Sequence, residues 1–310
     1  MTQISANGLE IEYDEFGATD APAILLIMGL GTQMTAWSLP FCERLAGYGF
    51  RVIRFDNRDV GLSSKFHGER APGLARFAIT RLLGLSLRVP YTLDDMADDA
   101  IGVLDAINVD EAHIVGASMG GMIAQLIAGR FPDRSMSLTS IMSTSGDPSL
   151  PAASAEVRKM LLAPRPDASQ PEAVVQRIMQ SYRTIGSPGF QRSDEELRQL
   201  AEASIERSYY PEGFMRQVAA IAANGSRVEL LKRILAPTLV IHGKEDPLVP
   251  VECGIHTAEQ IRGAKLELID GMGHDLPPLL SDRIADLIAD HVKTAKPVQA
   301  SQEDFQAKSA

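Results

Sequence analysis

The pentapeptide Gly116-Ala117-Ser118-Met119-Gly120 holds the serine best placed for nucleophilic chemistry. A β-branched run precedes it and a stretch of helical character follows it, so the serine is expected at a strand-to-helix turn. Such a turn strains the serine backbone and projects its hydroxyl beyond the sheet. Gly116 and Gly120 supply the space and conformational freedom that so tight a turn needs. The pattern predicts a nucleophilic Ser118, with an ordinary glycine-containing turn as the alternative.

A nucleophilic serine requires an acid and a base, and both residue types follow later strands in the expected order. The apolar run 237–243 predicts a buried parallel strand, and Asp246 lies in the loop after it. The alternating run 265–269 predicts a strand near a sheet edge, and His274 follows it closely. Because open α/β sheets bind ligands beyond the carboxyl ends of their strands, the three side chains are expected to meet there. We predict Ser118 as nucleophile, His274 as base and Asp246 as acid.

Two other carboxylates compete with Asp246 for the role of the acid. Glu245 is its neighbour in the chain, and Asp147 follows the strand predicted over 138–142. Asp246 is favoured because it precedes a proline in a turn after a strand, where the order of the three groups places the acid. Asp56 and Arg58 are interpreted as turn chemistry and a buried ion pair at a strand end, not as catalytic groups.

The elements that must position these groups alternate between strand and helix. The predicted elements are a hairpin (2–5 with 9–16), strands over 23–27 and 51–55, and helices over 39–48 and 93–107. This alternation predicts an α/β fold, in which helices cover both faces of a mostly parallel sheet.

The alternation stops at residues 147–225, which contain only helix-like segments and are too long to be a loop. We predict that they form a helical cap over Ser118, inserted between core parts 1–146 and 226–293. Ligand pockets are largely apolar and lie at domain interfaces. The side chains predicted to line the pocket are Met28, Trp37, Tyr182, Tyr209 and Phe214. For Trp37, packing of the first helix is the alternative.

Two further segments depart from the alternation. Within residues 65–90, the stretch 73–85 combines apolar residues with arginines and predicts a lid helix or a packed helix, in preference to a membrane-surface helix. Residues 294–310 show no periodicity and are rich in polar residues, so they are predicted to be a disordered tail.

The composition excludes several classes of function. The chain has 310 residues, of which 45% are hydrophobic, and a formal net charge of -10 that disfavours nucleic acid and anionic lipid as partners. Cys42 and Cys253 match no disulfide framework, which is consistent with a reducing compartment. The first residues lack the pattern of a signal peptide, and we expect a cytoplasmic location without stable membrane association. The remaining histidines have no ligand partners at metal spacing, so neither a metal nor another cofactor is expected.

From Asn7 to about His291, the chain resembles the α/β-hydrolase family. The motifs that carry the resemblance are Met28-Gly29, residues 56–63, the pentapeptide around Ser118, residues 243–247 and Gly273-His274. Most members have a His-Gly pair where this chain has Met28-Gly29, and the Met-Gly form is similar to the branch that includes the aclacinomycin methylesterases. The resemblance implies an eight-stranded α/β-hydrolase sheet. It also implies that the backbone N–H groups of Leu30 and Met119 form an oxyanion hole.

These features together predict a serine esterase that forms an acyl-enzyme with esters of uncharged, fairly hydrophobic small molecules, as a monomer or homodimer. The same triad also serves lactonases, thioesterases and cofactor-free haloperoxidases, which stay open because fold does not dictate substrate. A ligand-binding receptor on the same fold is the alternative from another class.

Overall fold

The computed structural model describes residues 2–73 and 87–295. Their strands form an eight-stranded sheet in the order β1-β2-β4-β3-β5-β6-β7-β8, which confirms the predicted α/β sheet. The strands are β1 (Thr2–Ala6), β2 (Leu9–Phe16), β3 (Ala23–Ile27), β4 (Arg51–Phe55), β5 (Ala112–Ala117), β6 (Ser135–Ile141), β7 (Thr238–Gly243) and β8 (Lys265–Ile269).

Helices cover the sheet and also fill the long segment between β6 and β7. In the described part of the chain they are α1 (Leu39–Gly47), α2 (Leu93–Ala106), α3 (Met119–Arg130), α4 (Ala155–Leu162), α5 (Pro171–Ile185), α6 (Asp194–Arg207), α7 (Pro211–Asn224), α8 (Val228–Leu231), α9 (Val251–Gln260) and α10 (Pro278–Thr294), with short 3-10 turns at Met34–Ala36 and Pro132–Arg134. Helix α2 begins at a capping box in which Thr92 and Asp95 satisfy each other's backbone N–H groups.

The strands that matter for function run parallel to one another. Strand β2 pairs antiparallel with β1 and with β4, whereas every pair from β4 through β8 along the sheet is parallel. The carboxyl ends of β5, β7 and β8 therefore lie at the same edge of the sheet. The loops that carry Ser118, Asp246 and His274 begin at that edge.

The core lies on both faces of the sheet, because successive side chains of a strand point to opposite faces. In β3, Leu25 contributes to a cluster with α2 and α3, and Leu26 contributes to a cluster with α1 and α10. All five residues of β3 are buried. Burial on both faces explains why this strand is a continuous apolar run instead of an alternating one.

The cap segment, defined as residues 147–225, contains α4 to α7. Helices α5 and α6 bury a small apolar cluster of their own, which includes Val175, Met179 and Leu197. The helix predicted within 73–85 and the tail predicted over 294–310 fall mainly on residues 74–86 and 296–310, which lie outside the described residues. Across the described ranges, no helix has the length and apolar content needed to span a membrane.

Candidate active site

Ser118 lies at a sharp turn between β5 and α3. Its φ is 57° and its ψ is -119°, a left-handed conformation that costs free energy for a residue with a side chain. The turn is held by two hydrogen bonds, because the Ser118 N–H donates to the Ile141 carbonyl at 2.9 Å and the Ser143 hydroxyl donates to the Ser118 carbonyl at 2.8 Å. The strain expected of a nucleophilic serine is therefore present in the backbone.

The glycines of the pentapeptide are required because strand and helix backbones nearly touch. A Cβ on Gly116 would overlap the Gly120 carbonyl, and a Cβ on Gly120 would overlap the Ile27 carbonyl and lie 2.9 Å from the Met28 carbonyl oxygen. These contacts are with backbone atoms, which cannot move away as a flexible side chain can. The spacing of the two glycines thus reflects the packing of α3 against β3 and β5.

We expect Gly120→Ala to lower the free energy of unfolding by about 1–3 kcal/mol or more, because the added methyl group overpacks a rigid backbone contact. The matched control is Gly47→Ala near the end of α1, where an added Cβ meets no atom within 4 Å. Urea denaturation of both variants measures the difference. Equal stability of the two variants would contradict the packing explanation.

The structure brings together the three residues predicted from the sequence. The Ser118 Oγ lies 2.9 Å from His274 Nε2, and His274 Nδ1 lies 2.7 Å from Asp246 Oδ2. Since an ionised carboxylate only accepts hydrogen bonds, Nδ1 carries the ring proton and Nε2 accepts from the serine hydroxyl. An imidazole in this tautomer can take the proton of Ser118.

The Asp246 carboxylate is buried and fully engaged. Its Oδ1 accepts from the N–H groups of Leu248 at 2.9 Å and Val249 at 2.8 Å, and its Oδ2 faces His274. Burial by itself raises the pKa of Asp246, but the charge of His274 and the hydrogen bonds to the carboxylate outweigh burial and lower the pKa to about 2. The group is therefore a carboxylate, not an acid, throughout the neutral range.

His242 is a residue at this site that the sequence did not point to. It is fully buried at the end of β7, with Nε2 at 2.8 Å from the Val249 carbonyl and 3.5 Å from Asp246 Oδ2. It therefore connects the end of β7 with Val249, beyond the acid in the same loop. Its position four residues before Asp246 is the only sequence signal for this role.

The competing carboxylates do not reach His274. Glu245 points the other way and accepts from the Gly271 N–H at 2.6 Å. Asp147 is engaged by the N–H and hydroxyl groups of Ser149, at 2.8 and 2.6 Å. Of the three candidate acids, the structure places only Asp246 against the imidazole.

The loop after β3 passes directly beside the nucleophile. A Cβ on Gly29 would lie 3.1 Å from the Ser118 Cβ and 3.5 Å from its Oγ. The loop is fixed by the Asn57 amide, which donates to the Met28 carbonyl at 2.9 Å, and by the Gly31 N–H, which donates to Gln217 of α7 at 2.8 Å. Leu30 thus lies in a rigid loop beside Ser118, and Met119 is the first residue of α3.

The loop that carries His274 is bound to the cap segment. The His274 N–H donates to the Ile185 carbonyl at 2.7 Å, and the Gly273 N–H donates to the Ser187 hydroxyl at 2.9 Å. That hydroxyl in turn donates to the Asp275 carboxylate at 2.5 Å. The position of the imidazole therefore depends on the end of α5 as well as on the sheet, a coupling that the sequence did not reveal.

Of the predicted pocket residues, two are buried in the core beside the sheet and three belong to the cap segment. Trp37 is 1% exposed and stacks on Phe41 in the core, which favours the packing alternative, and Met28 is buried in the same cluster. Phe214 of α7 packs on Gly31 in the loop beside Ser118. Tyr209 donates to the Pro166 carbonyl at 2.7 Å. Tyr182 lines a cleft of about 470 Å³ that also contains Asp275.

Asp56 and Arg58 are buried, as predicted, but each pairs with a different element. Asp56 forms an ion pair with Arg207 of α6 at 2.7 Å and accepts from the Met34 N–H at 2.8 Å. Arg58 binds both carboxylate oxygens of Asp99 at 2.6 Å. These pairs tie the loop after β4 to the surrounding helices.

Comparison with known proteins gives matches along most of the chain. A family model described as "alpha/beta hydrolase fold" matches residues 22–278. The rhodomycin D methylesterase DauP from a Streptomyces species is 32% identical over 294 residues, which cover 89% of this chain and 92% of that protein. The 3-oxoadipate enol-lactonase 2 of Acinetobacter baylyi is 28% identical over 273 residues, covering 86% and 87%. A solved meta-cleavage product hydrolase from Pseudomonas fluorescens is similar in fold, with a TM-score of 0.74, 22% identity and coverage of 96% and 98%.

Proposed function

The chain belongs to the α/β-hydrolase fold family, and we propose that it is a serine hydrolase that cleaves carboxylic esters through an acyl-enzyme. The observation that carries this proposal is the continuous hydrogen-bonded series from Ser118 through His274 to Asp246, with distances of 2.9 and 2.7 Å. The 32% identity to a rhodomycin D methylesterase supports an ester as the substrate.

In the first half of the reaction, the Ser118 hydroxyl attacks the ester carbonyl while His274 Nε2 takes its proton. Asp246 stabilises the resulting imidazolium without taking up the proton. The carbonyl oxygen becomes an oxyanion, for which the N–H groups of Leu30 and Met119 are the proposed donors. Collapse of the tetrahedral intermediate breaks the bond to the alcohol oxygen, which receives the proton from His274 and leaves as the alcohol.

In the second half, water attacks the acyl-enzyme and again transfers a proton to His274. The bond to Ser118 breaks, the serine regains its proton from His274, and the carboxylic acid is released.

A helix N-terminus directly behind Ser118 supports the assignment of this serine as the nucleophile, because its partial positive charge favours the developing oxyanion. The buried aromatic ring of Phe214 beside the Leu30 loop supports a substrate whose body is hydrophobic.

Covalent labelling tests the proposal against the alternative of a ligand-binding receptor. A fluorophosphonate probe is expected to phosphonylate Ser118, with the adduct located by mass spectrometry of the peptide around that residue. Ser118→Ala removes the attacking oxygen and should abolish labelling. A folded wild-type protein that neither labels nor hydrolyses p-nitrophenyl butyrate would overturn the proposed function.

A further inference from the structure

The cap segment contains an arginine whose charge is not neutralised within the described part of the chain. Arg165, between α4 and α5, forms no hydrogen bond or ion pair with a described residue, and its Nε is buried. Several other arginines of the cap segment form ion pairs with carboxylates, as Arg198 does with Glu172 at 2.7 Å. Its Nε–H is removed from water without an acceptor, which is costly, while the residue as a whole is half-buried.

Arg165 is connected to the loop beside Ser118 through the aromatic ring of Phe214. Its Cζ is 3.5 Å from the centroid of the Phe214 ring, a stacked cation–π contact. The same ring packs on Gly31, where an added Cβ would lie 2.6 Å from Phe214 Cδ2. Gly31 directly follows Leu30, the proposed oxyanion donor. The Phe214 ring thus contacts both the guanidinium of Arg165 and the loop beside Ser118.

A second arginine increases the positive charge at this place. Arg177 of α5 donates to the Met160 carbonyl, and its Nε is also buried without a partner in the described residues. Burial first, and then the charge of Arg177, lower the pKa of Arg165 to about 10.

We propose that Arg165 and Arg177 form an anion subsite that binds a carboxylate of the substrate, while the apolar body of the substrate packs beside Phe214. This inference rests on the proposed esterase function. It changes the expectation of an uncharged substrate, because the proposed substrate carries a carboxylate besides its ester. A guanidinium whose carbon lies over a ring can still present N–H groups at its edge to a planar carboxylate. Because the protein has a formal net charge of -10, an acidic substrate needs such a local cation.

Matched esters test the subsite on either side of the scissile bond. On the acyl side the pair is p-nitrophenyl hydrogen glutarate and p-nitrophenyl valerate. On the alcohol side it is 4-acetoxybenzoate and 4-acetoxybenzamide. For at least one pair, Arg165→Gln is expected to lower kcat/KM of the carboxylate member by roughly 10–100-fold, as expected for a lost hydrogen bond to a charged group. The neutral member should change by less than about threefold. Arg165→Lys, which keeps the charge, should restore part of the loss.

Arg198→Gln is the matched control, because it removes the same charge from the cap segment at a paired and exposed position. Arg198→Gln should leave the ratio of kcat/KM between the carboxylate and the neutral member of each pair unchanged. If Arg165→Gln folds poorly, Arg177→Gln serves for the same comparison. Equal changes for the carboxylate and neutral members in both pairs would overturn the anion subsite alone, whereas absence of hydrolysis and of fluorophosphonate labelling would overturn the proposed function.

Discussion

Ser118→Ala is expected to lower kcat for p-nitrophenyl butyrate by roughly a millionfold, as deletion of triad residues does in subtilisin. The reason is that alanine removes the hydroxyl oxygen that lies 2.9 Å from His274 Nε2 and would attack the ester. The fold should persist, because the hydrogen bonds that hold the turn involve the backbone N–H and carbonyl of residue 118. Steady-state hydrolysis and circular dichroism measure the two effects separately.

A double variant gives the control for this prediction. Ser118 and His274 act as one unit, so the combined loss in Ser118→Ala with His274→Ala should be close to that of either single change. Losses that multiply would show independent contributions and contradict the proposed proton transfer. Retention of the wild-type rate in either single variant would reject the site itself.

Asp246→Asn is expected to lower kcat by roughly ten-thousandfold while leaving the geometry nearly intact. An asparagine amide can donate a hydrogen bond to His274 Nδ1, which stabilises the wrong tautomer and leaves Nε2 unable to accept from Ser118. The carboxylate that stabilises the imidazolium is lost at the same time. Hydrolysis of p-nitrophenyl butyrate measures the effect, and the rival acid supplies the control, because Asp147→Asn should change kcat by less than threefold.

The low pKa of Asp246 also predicts how the contribution of this carboxylate varies with pH. With its pKa lowered from 3.8 to about 2, the carboxylate is charged at every pH above about 4, so Asp246 itself adds no titration step to the wild-type kcat profile between pH 5 and 8. A group whose pKa is lowered on folding stabilises the fold above its unfolded pKa, and this contribution disappears as the pH falls through the folded value. Thermal unfolding should therefore show the wild type losing stability relative to Asp246→Asn only between pH 4 and 2. A stabilising contribution of Asp246 that is already lost above pH 5 would contradict the ionisation state described for this carboxylate.

The sequence by itself determined the α/β sheet and the positions of the three residues at its edge. Strand β3 is a continuous apolar run, Ser118 lies between two glycines, and His274 follows a strand that alternates charged and apolar residues. Such signals are local, because periodicity and turn chemistry act over a few neighbouring residues. Once the strands are parallel, their carboxyl ends share an edge, so local patterns were sufficient to predict which side chains meet.

Only the tertiary structure decided which groups support and surround those three. The contact of His242 with the acid loop, the bond between Ser187 and Asp275, and the ring of Phe214 between Gly31 and Arg165 join segments that are mostly far apart in sequence. Trp37 is a further example, because a tryptophan at this position in the sequence is compatible with either a substrate pocket or the core. Its packing on Phe41 places it in the core. No local pattern encodes such contacts, because they depend on how helices of the cap segment dock on loops of the sheet, which is fixed by the burial and hydrogen bonding of the whole chain.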